Sequence, residues 1–147
     1  MVYINRGVFW ENKGDHDKAL ADYNKAIQLC SNYAVAYYNR GIVWGNKGDH
    51  DKAFADYNKA IQLNPNYADA YNNRGVTWGK KGNQDKSIAD YNKAIQLNPN
   101  FAMAYCNRGI TYLLHGNKKL GCRDAQKACE LKNCKTLEAA KNKGYCR

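Results

Sequence analysis

Proline is almost missing from this chain: only Pro65 and Pro99 occur in 147 residues, and they stand 34 residues apart. Acidic residues are few as well, 13 Asp and Glu against 23 Lys and Arg, which leaves a formal charge of +10. No apolar run reaches the roughly 18 residues that a membrane-crossing helix needs, and no apolar leader-like segment opens the chain. The three histidines, His16, His50 and His115, stand in turns with no carboxylate or cysteine at catalytic spacing. Asp15-His16-Asp17 fits a solvated turn better than a metal site. Glycines are plentiful but never form a phosphate-cradling loop. These absences argue against an enzyme, a bound cofactor and a resident metal.

What is present is a period. Asn-Arg-Gly recurs at 5–7, 39–41, 73–75 and 107–109, two residues after a tyrosine each time. An aromatic follows each of these glycines by three residues (Trp10, Trp44, Trp78, Tyr112) and a second glycine by seven (Gly14, Gly48, Gly82, Gly116). A repeat of this length marks stacked helical units, none of which can bury its apolar face alone. The repeats fall at about 1–33, 34–67, 68–101 and 102–134, within a single elongated domain spanning 1–147. Met1 stands almost where the first repeated helix should start, as it would in an excised fragment; a missing leader then says nothing about compartment.

Within the second unit, Ala36, Tyr37, Gly41 and Trp44, then Ala53, Ala60, Ile61 and Leu63, are spaced by helical turns. This spacing predicts a first helix over about 35–47 and a second over about 50–63. Gly48-Asp49 would close the first, and Asn64-Pro65-Asn66 would stop the second. A glycine inside a helix costs about 1 kcal/mol against alanine. Gly41 is therefore expected where a bulky partner, the tyrosine of the facing helix, lies close.

Tyr37, Gly41, Trp44, Ala53, Tyr57, Ala60 and Pro65 together resemble the tetratricopeptide repeat family, and the likeness covers essentially the whole chain. The third unit differs by Ser87, the first by Cys30-Ser31 at its boundary, and the fourth by Gly121 and Ala125 in place of alanine and tyrosine. The resemblance implies an all-α, right-handed solenoid of four helical hairpins with a C-terminal capping helix near 135–143. It also implies a protein or peptide partner.

Where relatives commonly carry leucine, this chain has Arg6, Arg40, Arg74 and Arg108, each followed sixteen residues later by Asp22, Asp56, Asp90 and Asp124. A hairpin brings each pair face to face. A partly buried arginine needs such a partner, so four ion pairs within repeats are expected.

Comparison of the two central units locates a recognition surface. They are identical at 24 of 34 positions. Val35 becomes Asp69, Tyr38 becomes Asn72, Ile42 becomes Val76 and Asn46 becomes Lys80, a stripe along one helix face. In the family that face lines the concave groove. A surface that reads a non-repetitive ligand would vary in this way, and so would exposed positions under simple drift. Asn5, Asn39, Asn73 and Asn107 do not vary on the same face. An amide both donates and accepts, so a ladder of them can hold an extended peptide backbone; each could equally bond its neighbouring repeat. Met103 and Ile110, with Cys106, Leu113 and Leu114, make the C-terminal end of the groove apolar, although a tail helix would cover part of it. Chaperone-binding relatives clamp a carboxylate with lysines one turn before such asparagines. Met1, Val35, Asp69 and Met103 occupy those positions, so that clamp is not expected.

Residues 117–147 hold nine basic and three acidic residues, a net +6. Such an end fits a solvated cap, and alternatively nucleic acid or an anionic surface. An N-terminal unit without a cap leaves a face on which copies could stack into a homo-oligomer. Cys122, Cys129, Cys134 and Cys146 crowd this same end, and disulfides, free thiols and a zinc site all fit that clustering. If they oxidise, Cys122 and Cys129 cannot pair, being seven residues and about 10.5 Å apart along one helix. A helical hairpin turning near Lys132 then favours Cys122–Cys146 and Cys129–Cys134. Disulfides would place the protein in the periplasm or outside the cell, and free thiols in the cytoplasm.

Overall fold

The computed structural model describes residues 1–146, and all regular structure among them is helical. Paired helices follow one another as α1 (Val2–Asn12) and α2 (His16–Leu29), α3 (Ala34–Asn46) and α4 (His50–Leu63), α5 (Ala68–Lys80) and α6 (Gln84–Leu97), then α7 (Ala102–Leu114) and α8 (Lys118–Glu130). A short α9 (Lys135–Asn142) closes the series. The hairpins stack into a solenoid. The helix over 50–63 matches its expected bounds, whereas α3 starts and ends one residue earlier than its predicted span.

Local chemistry sets the hairpin. Asp49 caps α4 by accepting from the Lys52 amide at 3.1 Å, and Asp15, Asn83 and Asn117 do the same for α2, α6 and α8. Gly48 turns the chain with φ of 81°, a left-handed conformation that side chains disfavour. At Gly41 a methyl group would lie 2.7 Å from Tyr57 Cε1, so the tyrosine ring sits directly on the α3 backbone. The fourth hairpin exchanges these roles. Ala125 stands where a tyrosine would, and Gly121 instead receives Leu113, whose Cγ would lie 2.5 Å from an added methyl.

All four expected ion pairs form. In each, arginine Nε and Nη2 hold both carboxylate oxygens of its aspartate at 2.6–2.9 Å. Asp22, Asp56, Asp90 and Asp124 are buried, so the fork geometry supplies the partner that a desolvated carboxylate requires. The core between helices is built from small residues with a few large ones: Ala19, Tyr23, Ala36, Val43, Ala53 and Ala60. At the C-terminal end, Cys122 and Cys146 lie at bonding distance (2.04 Å), as do Cys129 and Cys134. Together they tie α9 and the segment after it to α8.

Candidate concave recognition surface

Helices α3, α5 and α7 contact one another in sequence along one side of the stack. There the cleft between α3 and α5 encloses about 170 Å³. It brings together Ile42, Asn46, Asn73, Val76 and Lys80, five of the residues singled out from sequence. His50, Tyr57 and Thr77 line it too, and the variable stripe does not include them. For two of these a signal exists in the sequence, since Val43 becomes Thr77 and His50 becomes Gln84 between the central repeats. The repeat pattern assigns Tyr57 wholly to packing, yet its edge reaches the cleft. The result is an aliphatic wall with an amide, a phenol and a flexible cation around it.

The remaining positions divide. Tyr38 is half-buried, its ring 4.8 Å from that of Tyr67 and 6.1 Å from that of Tyr57. Burial first, and the charge of Asp69 second, push its hydroxyl up to about 12, so it stays a neutral hydrogen-bonding group. Val35 is half-buried, packed on the first hairpin's core, and Asp69 is exposed at the start of α5. Asn72 departs from expectation. It is 4% exposed and joins neighbouring repeats instead of presenting itself to the groove. The reason is its reach: Asn107 Nδ2 donates to Asn72 Oδ1 at 2.9 Å, and Asn72 Nδ2 donates to Asn73 Oδ1 at 3.1 Å.

The invariant asparagines therefore have unequal surroundings. Asn73 Nδ2 continues the chain to the Tyr38 hydroxyl at 3.3 Å, so Asn107, Asn72, Asn73 and Tyr38 form one polar seam across three repeats. Asn5 is exposed and Asn39 half-buried, and neither side chain makes a hydrogen bond among the described residues. Asn73 retains unused amide capacity beside the cleft, and Asn107 retains it farther along, near Met103 on α7. Met103 and Ile110 lie apart from this cleft, on α7 beside α9, and are 49% and 43% exposed.

A stack of helical hairpins with one variable face over a repeated scaffold defines the class of helical-repeat solenoids. Family profiles described as "Tetratricopeptide repeat" match residues 34–67 and 56–89, and one described as "TPR repeat" matches 12–48 and 79–116. The chain belongs to the tetratricopeptide repeat family, which supports a protein–protein interaction scaffold.

Solved structures agree. The crystal structure of MamA shares 29% identity over 88% of this chain and 76% of its own, with a TM-score of 0.80. MamA 41-end from Desulfovibrio magneticus RS-1 shares 24% over 88% and 73%, at 0.77. TTC0263, a thermophilic TPR protein in Thermus thermophilus, shares 19% over 97% and 82%, at 0.84. At these lower identities the likeness speaks for the fold alone. No curated protein matches the sequence. Among the described residues, no helix is long and apolar enough to cross a membrane.

Proposed function

We propose that this chain is a non-enzymatic scaffold that holds an extended peptide segment in its concave groove. The observation that carries the reading is the cleft where Ile42 and Val76 form an apolar wall beside the Asn73 amide and the Lys80 ammonium. Aliphatic walls accept a side chain, the amide pairs with peptide backbone, and the cation favours an acidic neighbour. Exposed Asp69 extends the variable surface at the start of α5, whereas Met103 and Ile110 belong to a separate furrow beside α9. The test is selection from a displayed peptide library, with binders re-measured on Val76→Asp and Lys80→Glu. Lys80 is exposed and Val76 half-buried, so circular dichroism of each variant checks first that helicity is intact. Binding should fall by about tenfold or more, equivalent to about 1.4 kcal/mol. Binders indifferent to both changes would remove the groove from consideration.

A second reading rests on the net +6 of residues 117–147, whose Lys118, Lys119, Arg123, Lys127, Lys132, Lys135, Lys141 and Lys143 are all exposed. It is nucleic-acid or anionic-surface binding at that end. Affinity for a nucleic acid held by several phosphate contacts should collapse between 50 and 200 mM salt, by roughly 10³-fold or more. Exposed Met1, Val2 and Phe9 support end-to-end stacking in the same way, and sedimentation against concentration tests it. Two cysteine pairs at bonding distance favour an oxidising compartment, periplasmic or secreted, over the cytoplasm.

A further inference from the structure

We propose that the furrow between α7 and α9 binds a small anionic amphiphile, an aliphatic chain ending in a carboxylate or a similar acid. Two clefts of about 270 and 410 Å³ run along it and share Ile110, Lys135 and Thr136, which makes them one continuous trough. Its combined size falls in the range of small-molecule sites.

The walls set the chemistry. Ile110, Leu113 and Leu114 of α7 face Ala139 and Ala140 of α9, with Tyr145 and Thr136 beside them, so this half is largely apolar on both sides. The alanines leave the trough open, because they carry no side chain long enough to cross it. Lys143 stands at this end, Lys132 at the other, and Lys135 lines both clefts. No acidic side chain lines either. An apolar floor under a rim of cations complements a ligand with an aliphatic body and a negative head.

The same walls disfavour a peptide. Side-chain amides, Asn107 and Asn133, occur only at the Met103 end. Toward Leu114 the walls offer a peptide backbone no side-chain amide, only the Thr136 and Tyr145 hydroxyls and the lysine ammonium groups. An alkyl chain requires none of these. This site is separate from the Ile42–Val76 cleft and differs from it in ligand class.

Titration of the intact, oxidised chain with decanoate below its micelle concentration tests the proposal, followed by methyl NMR at Ile110, Leu113 and Leu114. Decanoate should shift these methyls and bind at least about tenfold more tightly than decanol, the difference expected of charge-assisted contacts. Lys135→Glu with Lys143→Glu should remove that preference. Ala139→Phe, at an exposed wall position, should fill the trough and abolish binding while the remaining spectrum is unchanged. Val76→Asp should leave decanoate binding intact, which separates this site from the peptide groove. Equal binding of decanol and decyltrimethylammonium, or binding that survives Ala139→Phe, overturns the proposal. So does a leucine- and glutamate-bearing peptide that displaces decanoate from the shifted methyls.

Discussion

Arg74 binds Asn58 across the boundary between two repeats: its Nη1 donates to Asn58 Oδ1 at 2.8 Å while Nε and Nη2 hold Asp90. Arg40 does the same to Asn24 and Arg108 to Asn92. One guanidinium therefore closes its own hairpin and fastens it to the preceding one. The aromatic one turn earlier supports it, with Tyr71 lying 5.4 Å under the Arg74 guanidinium carbon.

Removing one member of this fork should be costly. Arg74→Met leaves the Asp90 carboxylate, 8% exposed as a side chain, without its cation. A loss of about 3 kcal/mol is expected, and Asp90→Asn added to it should recover part. A double-mutant cycle by urea unfolding reads the coupling, which should reach about 1 kcal/mol or more. Additive effects would mean that the pair contributes nothing beyond its parts.

Two glycines of α3 should respond to alanine with opposite signs. At Gly41 a methyl would lie 2.7 Å from the Tyr57 ring, which is itself buried. Overpacking of this kind costs about 1–3 kcal/mol and outweighs the gain in helix propensity. At Gly45 the nearest atoms would be the Tyr57 hydroxyl at 3.8 Å and the Ala53 methyl at 3.9 Å, ordinary contact distances. Gly45→Ala should therefore stabilise, by something under about 1 kcal/mol. Thermal melts of the two variants decide it, and a stabilised Gly41→Ala would refute the close approach.

The features legible in sequence depend on spacing inside one unit. Arg40 to Asp56, Gly41 to Tyr57 and Asp49 at the start of α4 follow from the hairpin alone, whose period is fixed. Contacts between units depend on how one hairpin is rotated against the next, and a period does not carry that rotation. Asn72 shows the difference. It occupies the same repeat position as half-buried Tyr38, but its shorter side chain sinks between α5 and α7 and meets Asn107. The Arg74–Asn58 bond was in principle readable, because Asn24, Asn58 and Asn92 recur with the period. The furrow beside α9 was not, since it arises where the repeat pattern ends.

Alkali should unfold the protein through its buried phenols. Burial is the main cause that holds Tyr23, Tyr38, Tyr57 and Tyr67 above the ordinary tyrosine value, Tyr38 at about 12. A raised value means that the folded state favours the neutral form. The associated stability is complete below about pH 10, where unfolded tyrosine titrates, and drains away as pH rises toward and through 12. These four of the 12 tyrosines should ionise together with loss of helical circular dichroism. A phenolate absorbance that reaches full amplitude near pH ~10 with helicity intact would contradict this.

The two cysteine pairs should differ in what their removal costs. Cys122–Cys146 closes 24 residues of chain and Cys129–Cys134 closes 5. Loop-closure entropy assigns about 3 kcal/mol to the longer and about 2 to the shorter. The longer bond also holds the segment after α9. That helix has eight residues and is too short to persist alone, and among its residues only Thr136 and Ala140 are buried. Cys122→Ser with Cys146→Ser should therefore loosen α9 selectively, raising amide exchange there while α1 to α6 remain protected. Cys129→Ser with Cys134→Ser should leave α9 docked. Uniform protection of α9 in the first variant would show that packing, not the covalent tie, holds the cap in place.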